Sequence, residues 1–387
     1  MPPVLNITKP AILQVIPALD TGGAERTTLD VAAALVREGF AALVASKGGR
    51  MEDELRSSGA ELIRMDAASK APHVIFSNAL LLRDAIRKRG VKLLHARSRA
   101  PAWSALMAAG MAGVPFVTTY HGIYNASNPL KRFYNSVMIR ADAVIANSQW
   151  TADHIARAYG KPPKRLVVIP RGVDLEYFDP ASIAPDRVAQ LRQTWGVSED
   201  DFVILLPGRL TRWKGQGVLI DAIARLKRDG TPGKARAILA GDAQGRDEYE
   251  NELRAQIESA GLSDRVLIVG HVDDMATAYA ASDVVISAST DPEAFGRVAA
   301  EASALAKPVI AADHGGARET VLTNVSGFLV PPADVQALSA TLEKIIATPP
   351  LGRINMGMAG RAHIARHYSR ERMCSDTIAL YRSLIES

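Results

Sequence analysis

The chain has 387 residues, which favours two domains, and its 48% hydrophobic share is ample for globular cores. Its one cysteine, Cys374, excludes an intramolecular disulfide and fits a reducing cytosol. The net charge of +5 is uneven, because residues 1–190 hold 24 Lys and Arg against 16 Asp and Glu (+8) and the rest hold 22 against 25 (−3). A basic first half indicates an anionic partner, whether lipid, nucleotide or nucleic acid.

Two segments bear on membrane targeting. Residues Met1–Pro10 hold two consecutive prolines and no apolar run, so no signal peptide is expected. The stretch Ala100–Val117 is largely apolar, and a membrane span is one interpretation of it. Two prolines and two glycines interrupt it, namely Pro101, Gly110, Gly113 and Pro115. A helix over Ala102–Ala112 and a strand over Phe116–Thr119 are therefore the preferred prediction.

Strand and helix patterns alternate through the first half of the chain. Strands are predicted at Ile12–Leu19, Ala41–Ser46, Leu62–Met65, Lys92–His95, Phe116–Tyr120, Ala143–Asn147 and Val167–Pro170. Helices are predicted at about Ala24–Glu38, Leu80–Arg89, Ala102–Ala112 and Thr151–Tyr159. Pro180 and Pro185 break regular structure, so a linker is predicted over Arg171–Pro185.

The second half repeats this alternation. Strands are predicted at Phe202–Leu206, Ala235–Ala240, Val266–Val269, Val284–Ser287, Val309–Ala312 and Phe328–Val330. Helices are predicted at Gly217–Arg228, Tyr249–Ala260, Met275–Ala281, Arg297–Ala306 and Val335–Ala347. The pattern predicts an α/β fold with two doubly wound, Rossmann-like parallel sheets facing across a cleft. The domains would span residues 1–178 and 186–369, and a last helix at about 370–387 would pack back on the first domain.

Two loops of the first half carry candidate ligand-binding residues. Gly22 and Gly23 stand between the first strand and helix, where glycine admits close backbone approach and a helix N-terminus favours anions. A simple tight turn explains them equally well. His121, followed by Gly122, comes directly after a strand and would offer a donor or acceptor there. A structural histidine is an equal alternative on local grounds.

Two loops of the second half carry charge at the carboxyl ends of predicted strands. The loop Pro207–Gly215 holds Arg209, a bidentate fork for phosphate, and Lys214, a point charge. Its alternative is a solvated basic loop. Glu293 stands in the loop after the strand Val284–Ser287, and Glu301 on the helix behind it, where open parallel sheets bind ligands. The alternative there is an acidic turn stabilised by the helix dipole.

Several signatures of other chemistries are absent from the sequence. No Asp-x-Asp triplet is available to hold a divalent metal on a diphosphate, and there is no P-loop and no Gly-x-Ser-x-Gly nucleophile elbow. His363 and His367 share a helix face, but no third metal ligand accompanies them, so surface histidines are the preferred interpretation.

Taken together, these segments resemble the retaining glycosyltransferases of family four, also called group one, which have the GT-B fold. The resemblance covers nearly the whole chain, including the Gly22-Gly23 loop, His121-Gly122, Arg171-Gly172-Val173-Asp174 with Phe178, and Gly208-Arg209 with Lys214-Gly215. Its most specific mark is the pair Glu293 and Glu301, separated by seven residues with Phe295-Gly296 between them.

The resemblance implies a role for each site residue of the second half. Arg209 and Lys214 would neutralise the donor diphosphate in place of a metal. Glu301 would hold the ribose hydroxyls, and Glu293 the hydroxyls of the donor sugar. Backbone amides around Phe295 and Gly296 would bind sugar or phosphate. Arg297 departs from the family, which more often has an aliphatic residue there, so donor identity stays open.

In the first half, the resemblance implies that Gly22 and Gly23 close on the phosphate and that His121 lies near the far hydroxyl of the sugar. The implied reaction is a retaining transfer by front-face attack from a nucleotide-sugar co-substrate, with no cofactor and no metal. The acceptor would be a glycan or lipid-linked glycan of bacterial lipopolysaccharide, exopolysaccharide or glycolipid synthesis. No nucleic-acid partner is implied. A nucleotide-sugar epimerase of the same fold and a non-catalytic nucleotide-sugar-binding module are the rival readings.

The location implied is cytoplasmic, with an anionic membrane surface as a further partner. Cations cluster at the end of one predicted helix, namely Arg83, Arg87, Lys88, Arg89 and Lys92. As a helix, the segment Asn128–Arg140 would place five large side chains on one face, namely Leu130, Phe133, Tyr134, Val137 and Met138. We expect that face to lie in the lipid interface, with packing on the first sheet as the alternative.

Overall fold

The computed structural model describes residues 9–20, 22–122, 124, 128–160, 163–230, 235–245 and 247–387. Thr21 of the glycine loop and the amino-terminal residues 1–8 therefore lie outside the description. The chain divides into two compact units, Met1–Gly172 with Arg370–Ser387, and Val173–Ser369. Each unit is built on one parallel sheet with helices between the strands.

The first unit alternates strands and helices in chain order. Its strands are β1 (Ala11–Val15), β2 (Ala41–Ser46), β3 (Glu61–Arg64), β4 (Val91–Ala96), β5 (Phe116–Tyr120), β6 (Ala143–Ala146) and β7 (Leu166–Val168). Its helices in this part of the chain are α1 (Gly23–Arg37), α2 (Glu52–Ser57), α3 (Pro72–Arg89), α4 (Arg99–Ala112), α5 (Pro129–Asn135) and α6 (Gln149–Tyr159).

The second unit repeats the scheme. Its strands are β8 (Phe202–Pro207), β9 (Ala235–Ala240), β10 (Val266–Gly270), β11 (Val284–Ser287), β12 (Val309–Ala312) and β13 (Gly327–Val330). Its helices are α7 (Pro185–Thr194), α8 (Gln216–Arg228), α9 (Asp247–Ser259), α10 (Met275–Ala280), α11 (Arg297–Ala304), α12 (Ala317–Thr320), α13 (Val335–Ala347) and α14 (Pro350–His367). Helix α15 (Arg370–Ile385) then returns to the first unit.

The strand order locates the place in each sheet where ligands are expected. The first sheet has the order β3-β2-β1-β4-β5-β6-β7 and the second β10-β9-β8-β11-β12-β13, with all pairs parallel. The direction of winding reverses between β1 and β4, and again between β8 and β11. Doubly wound sheets bind ligands beyond the carboxyl ends of the strands at such a switch point.

Both sheets are covered on their two faces, as their sequences require. All five residues of β1 are buried, including the polar Gln14. Strands buried on both faces form continuous apolar runs rather than alternating ones. Helix α15 adds one side of the first core, where it buries Met373, Cys374, Ile378, Leu380 and Tyr381.

The predicted doubly wound architecture is confirmed, and the differences lie at the ends of elements. Strand β1 ends at Val15 rather than Leu19, because Pro17 has no N–H to donate to the ladder. Val173 and Phe178, predicted in the first domain, belong to the second unit. The backbone N–H of Val173 donates to Tyr368 (2.7 Å), and the Phe178 ring lies 6.0 Å from that of Tyr279.

The apolar stretch Ala100–Val117 forms most of helix α4 and the start of strand β5, as its prolines and glycines predicted. No helix in the described part of the chain is both long and apolar enough to cross a membrane. The predicted face over Asn128–Arg140 needs correction. Helix α5 ends at Asn135, and Val137 and Met138, in a 3-10 turn, are fully buried in the first core.

Candidate active-site residues

The loops after β8 and β11 bring together a buried ion pair in the second unit. The ammonium of Lys214 lies 2.8 Å from Oε1 of Glu293, and the two side chains are only 14% and 15% exposed. Ser289 donates its hydroxyl to the same oxygen at 2.5 Å. Burial opposes ionisation of Glu293, but the charge and hydrogen bond of Lys214 outweigh it and lower the pKa of the carboxyl. Glu293 is thus a fixed carboxylate, and no hydrogen bond engages its Oε2 within the described residues.

The two loops are tied to each other through their backbones. The N–H of Thr290 donates to the carbonyl of Trp213 at 2.7 Å. Gly215 has a left-handed conformation (φ +78°), and a β-carbon there would lie 2.0 Å from the carbonyl oxygen of Ala288. Only glycine allows this approach, so the position of Lys214 relative to the β11 loop depends on Gly215.

A third loop, after β12, holds the backbone of Glu293 in place. The N–H of Gly316 donates to the Glu293 carbonyl at 2.8 Å. A β-carbon at Gly315 (φ +63°) would lie 2.3 Å from that same oxygen. His314 donates through Nε2 to the Ser289 carbonyl at 2.7 Å. The sequence pattern did not single out this His-Gly-Gly loop, although its place after a central strand is a signal that could have done so.

The side chains of Tyr279 and Arg297 contact the carboxylate of Glu301. Its Oε2 accepts the hydroxyl proton of Tyr279 (2.9 Å), and Nε of Arg297 lies 3.3 Å from its Oε1. The Glu301 charge raises the pKa of the Arg297 guanidinium. Burial, together with that same charge, raises the pKa of Tyr279 well above its ordinary value. Arg297, which departs from the family pattern, therefore serves Glu301 in this structure.

Phe295 and Gly296 form the start of helix α11. The Phe295 side chain is a core residue, with its ring 5.8 Å from that of Tyr368. Gly296 has a left-handed conformation (φ +79°) and precedes Arg297, the first helical residue. The backbone amides, rather than the Phe295 side chain, are therefore the groups that a ligand could use here.

Arg209 differs from the other cations of the second unit. Its side chain is exposed, and the structure shows no partner for its guanidinium among the described residues. Its neighbour Arg212 is engaged, since it pairs with Glu252 and lies over the Tyr249 ring. Lys214 is shared between Glu293 and the Trp213 ring, which lies 4.5 Å from its ammonium. Among the described residues, Arg209 is thus the cation of this loop that has no hydrogen-bond or ion-pair partner.

In the first unit, the glycine loop meets a second cation. Helix α1 starts at Gly23, and no side chain of the described residues caps it, so its first N–H groups are open to a ligand. A β-carbon at Gly23 would lie 2.2 Å from Nη1 of Arg171. Nη2 of Arg171 lies 3.2 Å from Nδ1 of His121. Gly23, Arg171 and His121 therefore form one group at the carboxyl edge of the first sheet.

A buried arginine, Arg97, lies near this group and was not singled out by the sequence. It follows β4 at the switch point and is only 2% exposed. Its Nε and Nη2 donate to Oε1 of Gln14 at 2.9 and 2.5 Å, and among the described residues it forms no ion pair. Burial lowers the pKa of His121 well below its ordinary value, and the charges of Arg171 and Arg97 add to that effect. This lowering of the pKa favours the neutral form of His121.

Comparison with known proteins gives matches to both halves of the chain. Residues 188–363 match the family model of glycosyl transferases group 1. Residues 21–177 match the model of Glycosyltransferase Family 4.

Individual relatives cover most of the chain. A D-inositol 3-phosphate glycosyltransferase of Xylanimonas cellulosilytica is 32% identical over 79% of this chain and 75% of its own length. The crystal structure of a glycosyltransferase from Rickettsia africae superimposes with a TM-score of 0.89 at 35% identity, over 98% of this chain and 99% of that one. Anabaena HepE in complex with UDP-glucose gives a TM-score of 0.82 at 29% identity, over 97% and 100%.

Proposed function

Since the chain belongs to the group 1 glycosyltransferases, with two Rossmann-like domains of the GT-B type, we propose that it moves a sugar from a nucleotide-sugar donor with retention of configuration. The observation that carries this proposal is the arrangement of Glu293, Lys214 and Glu301 at the switch point of the second sheet. The acceptor is a glycan or a lipid-linked glycan, as in lipopolysaccharide or exopolysaccharide assembly.

The second unit supplies groups of the right chemistry for the donor. Arg209 and Lys214 face the growing negative charge of the leaving diphosphate, because placed cations are usually the largest electrostatic contribution to such a step. Oε2 of Glu293 accepts from a sugar hydroxyl, and Glu301 accepts from the ribose. The complex of Anabaena HepE with UDP-glucose supports a UDP-sugar as donor.

We propose that transfer needs no divalent metal. Arg209 is free of other partners in the described structure, and Lys214 stands beside it in the same loop. Two such cations replace the charge that a metal would bring to a diphosphate. Glu293 is held by Lys214 and Ser289, an arrangement that suits a hydrogen-bond acceptor better than an attacking nucleophile. Front-face attack, in which the leaving phosphate takes the acceptor proton, fits this arrangement.

The relatives support a second class of acceptor. Several are named D-inositol 3-phosphate glycosyltransferase, so a small phosphorylated polyol is the alternative to a glycan.

One assay tests donor, acceptor and metal together. The protein is incubated with radiolabelled UDP-glucose and either D-inositol 3-phosphate or a bacterial lipid extract, with and without EDTA. We expect acceptor-dependent transfer that EDTA lowers by no more than a few-fold, and an α-linked product by NMR. A change of the sugar without any acceptor would indicate an epimerase instead, and binding of UDP-glucose without turnover would indicate a binding module.

We also propose that the enzyme meets its acceptor at the inner face of the cytoplasmic membrane, as a peripheral protein. Helix α5 exposes Leu130 (81%) and Phe133 (59%) beside the exposed cations Lys131 and Arg132. Each cation near an anionic leaflet contributes about 1 kcal/mol. Flotation with anionic vesicles should carry the protein, and Leu130→Ser with Lys131→Ser should reduce it, whereas equal absence from anionic and neutral vesicles would contradict the proposal.

A further inference from the structure

The first unit contains a histidine whose protonation is fixed by a neighbour. We propose that Arg171 is a positioning residue that holds His121 as the neutral tautomer with its proton on Nε2, so that His121 donates to an oxygen of the ligand and cannot act as a base. The ligand's identity rests on the proposed function, whereas the tautomer does not.

The contact between the two side chains carries the assignment. Nη2 of Arg171 lies 3.2 Å from Nδ1 of His121. A guanidinium has donors only, so Nδ1 must supply the lone pair to this hydrogen bond. A neutral imidazole whose Nδ1 accepts carries its proton on Nε2. The contact therefore leaves one tautomer.

The other ring nitrogen points to a ligand. Nε2 of His121 is buried and has no hydrogen-bond partner in the part of the chain that the structure describes. A buried donor left unsatisfied costs about 1–3 kcal/mol, so native proteins rarely keep one without a purpose. An oxygen acceptor of the donor or acceptor substrate would satisfy it.

The surroundings keep the ring neutral. The charged groups facing it are Arg171, which follows β7, and Arg97, which follows β4. The other titratable neighbours, His95 and Tyr124, are buried, and burial disfavours their charged forms. A proton added at Nδ1 would meet the N–H of Arg171 directly. A neutral ring with a proton on Nε2 can stabilise an oxygen but has no free lone pair with which to deprotonate a hydroxyl.

Gly23 lies close to the same guanidinium of Arg171. A β-carbon at residue 23 would lie 2.2 Å from Nη1 of Arg171 and 2.7 Å from the central carbon of its guanidinium. The guanidinium is the far end of a flexible chain, so Gly23→Ala would displace it at little cost to the fold. Gly23 and His121 are thus coupled through Arg171. A substitution at Gly23 or at Arg171 should therefore change the tautomer of the His121 ring.

The test is nitrogen NMR of the protein labelled with ¹⁵N-histidine. The chain has eight histidines, and comparison with His121→Gln assigns the signal. We expect His121 to show a protonated Nε2 and a bare Nδ1, with no titration near the pKa of an ordinary histidine. Arg171→Met removes the donor and should give a mixture of tautomers, while Arg171→Lys keeps a donor and should preserve Nε2–H.

A matched control and a second variant keep the test decisive. Arg165→Met alters an exposed arginine that bonds Ser383, and it should leave the His121 signal unchanged. Gly23→Ala should disturb that signal as Arg171→Met does, and both should lower kcat/KM for transfer about tenfold, the equivalent of one hydrogen bond.

A proton on Nδ1 in the wild type, or a signal unaffected by both Arg171→Met and Gly23→Ala, would overturn the inference. If the tautomer is as assigned and no nucleotide sugar is turned over, the proposed function fails and the assignment stands.

Discussion

Lys214 and Glu293 show that the effect of substituting one residue depends on the residue with which it pairs. The proposed function gives each residue its own task, Lys214 on the diphosphate and Glu293 on the sugar. The structure joins them in a buried ion pair (2.8 Å), so Lys214→Ala would leave a carboxylate with no cation beside it. Breaking a buried pair in this way costs about 3–5 kcal/mol. We therefore expect Lys214→Ala to lower stability as well as turnover, which its sequence context alone did not predict.

Arg209 allows a cleaner test, because its guanidinium has no hydrogen-bond or ion-pair partner among the described residues. Arg209→Ala should lower turnover about 10²-fold, the loss of ~3 kcal/mol of transition-state stabilisation. The melting temperature of the Arg209→Ala variant should equal that of the wild type. Arg212→Ala in the same loop loses only an exposed pair with Glu252 and should keep near-normal turnover. Equal effects of the two substitutions in a steady-state assay would remove Arg209 from the donor site.

Glu293 should also contribute to the pH dependence of stability. Its folded pKa lies below the ordinary value of 4.5, so its contribution is fully present above 4.5 and is lost as the pH falls through the folded value. The free energy of unfolding of the wild type should therefore fall more steeply below pH 4.5 than that of Glu293→Gln. Urea titrations at a series of pH values measure this difference. Parallel curves would show that the ion pair adds no stability.

At the scale of elements, the sequence predicted the core strands well and the helix starts less well. The predicted strands Ala235–Ala240 and Val309–Ala312 coincide with β9 and β12. A short apolar run fixes both ends of a buried strand. Prolines caused the clearest errors. Pro185 was interpreted as part of a linker and Pro72 lay outside any predicted helix, yet α7 and α3 begin at them. A proline has no N–H to lose in a first helical turn, so it starts a helix as readily as it breaks one.

Loops between these elements depend on contacts across the sheet, which local sequence does not contain. The position of Glu293 is an example, because its backbone carbonyl is held by the loop after β12. Gly315→Ala would force a β-carbon to within 2.3 Å of the Glu293 carbonyl oxygen and strain a left-handed backbone. We expect a loss of stability above the roughly 1 kcal/mol of backbone strain alone, and a large loss of transfer.

Gly270→Ala is the control for that substitution. It has a similar backbone conformation (φ +74°) but open space around it. Gly270→Ala should lose only the stability that the strained backbone conformation costs, and its transfer activity should be retained. Thermal unfolding of both variants separates the two effects, and equal melting temperatures would show that the contact with Glu293 is unimportant.

For the whole molecule, the alternation of strand and helix patterns predicted two doubly wound sheets, and the last helix was predicted to pack back on the first domain, as α15 does. The side-chain contacts that this helix makes were not predicted. The hydroxyl of Tyr381 on α15 lies 2.5 Å from Nδ1 of His95 on β4, in the core of the first unit. The pairing spans 286 positions of sequence, and no local pattern announces it. Periodicity therefore predicted the elements, and the return of the last helix was also predicted, whereas individual side-chain contacts between residues distant in the sequence could not be read from local patterns.

This dependence predicts the result of a truncation. Removing residues 370–387 should open the first core, because α15 buries five large or sulfur-containing side chains there. Limited proteolysis should then degrade residues 1–172 and spare a fragment of about residues 173–369. Removing only Glu386 and Ser387, which are exposed beyond α15, should change nothing. A truncated chain as resistant as the full one would show that α15 is dispensable.

The backbone contact between Val173 and Tyr368, continued by a bridge from Val173 to Ser369, has an evolutionary consequence. The second unit begins and ends at neighbouring points, and each of the four hydrophobic clusters formed by the described residues belongs to one unit. Residues 173–369 thus form a domain inserted into the sequence of the first unit. Recombination at its two ends leaves the hydrophobic cores of both units intact. If the proposed function holds, exchange of residues 173–369 would change the donor site and leave the first unit intact. Chimeras joined at these two points should fold, whereas chimeras joined inside β8 should not.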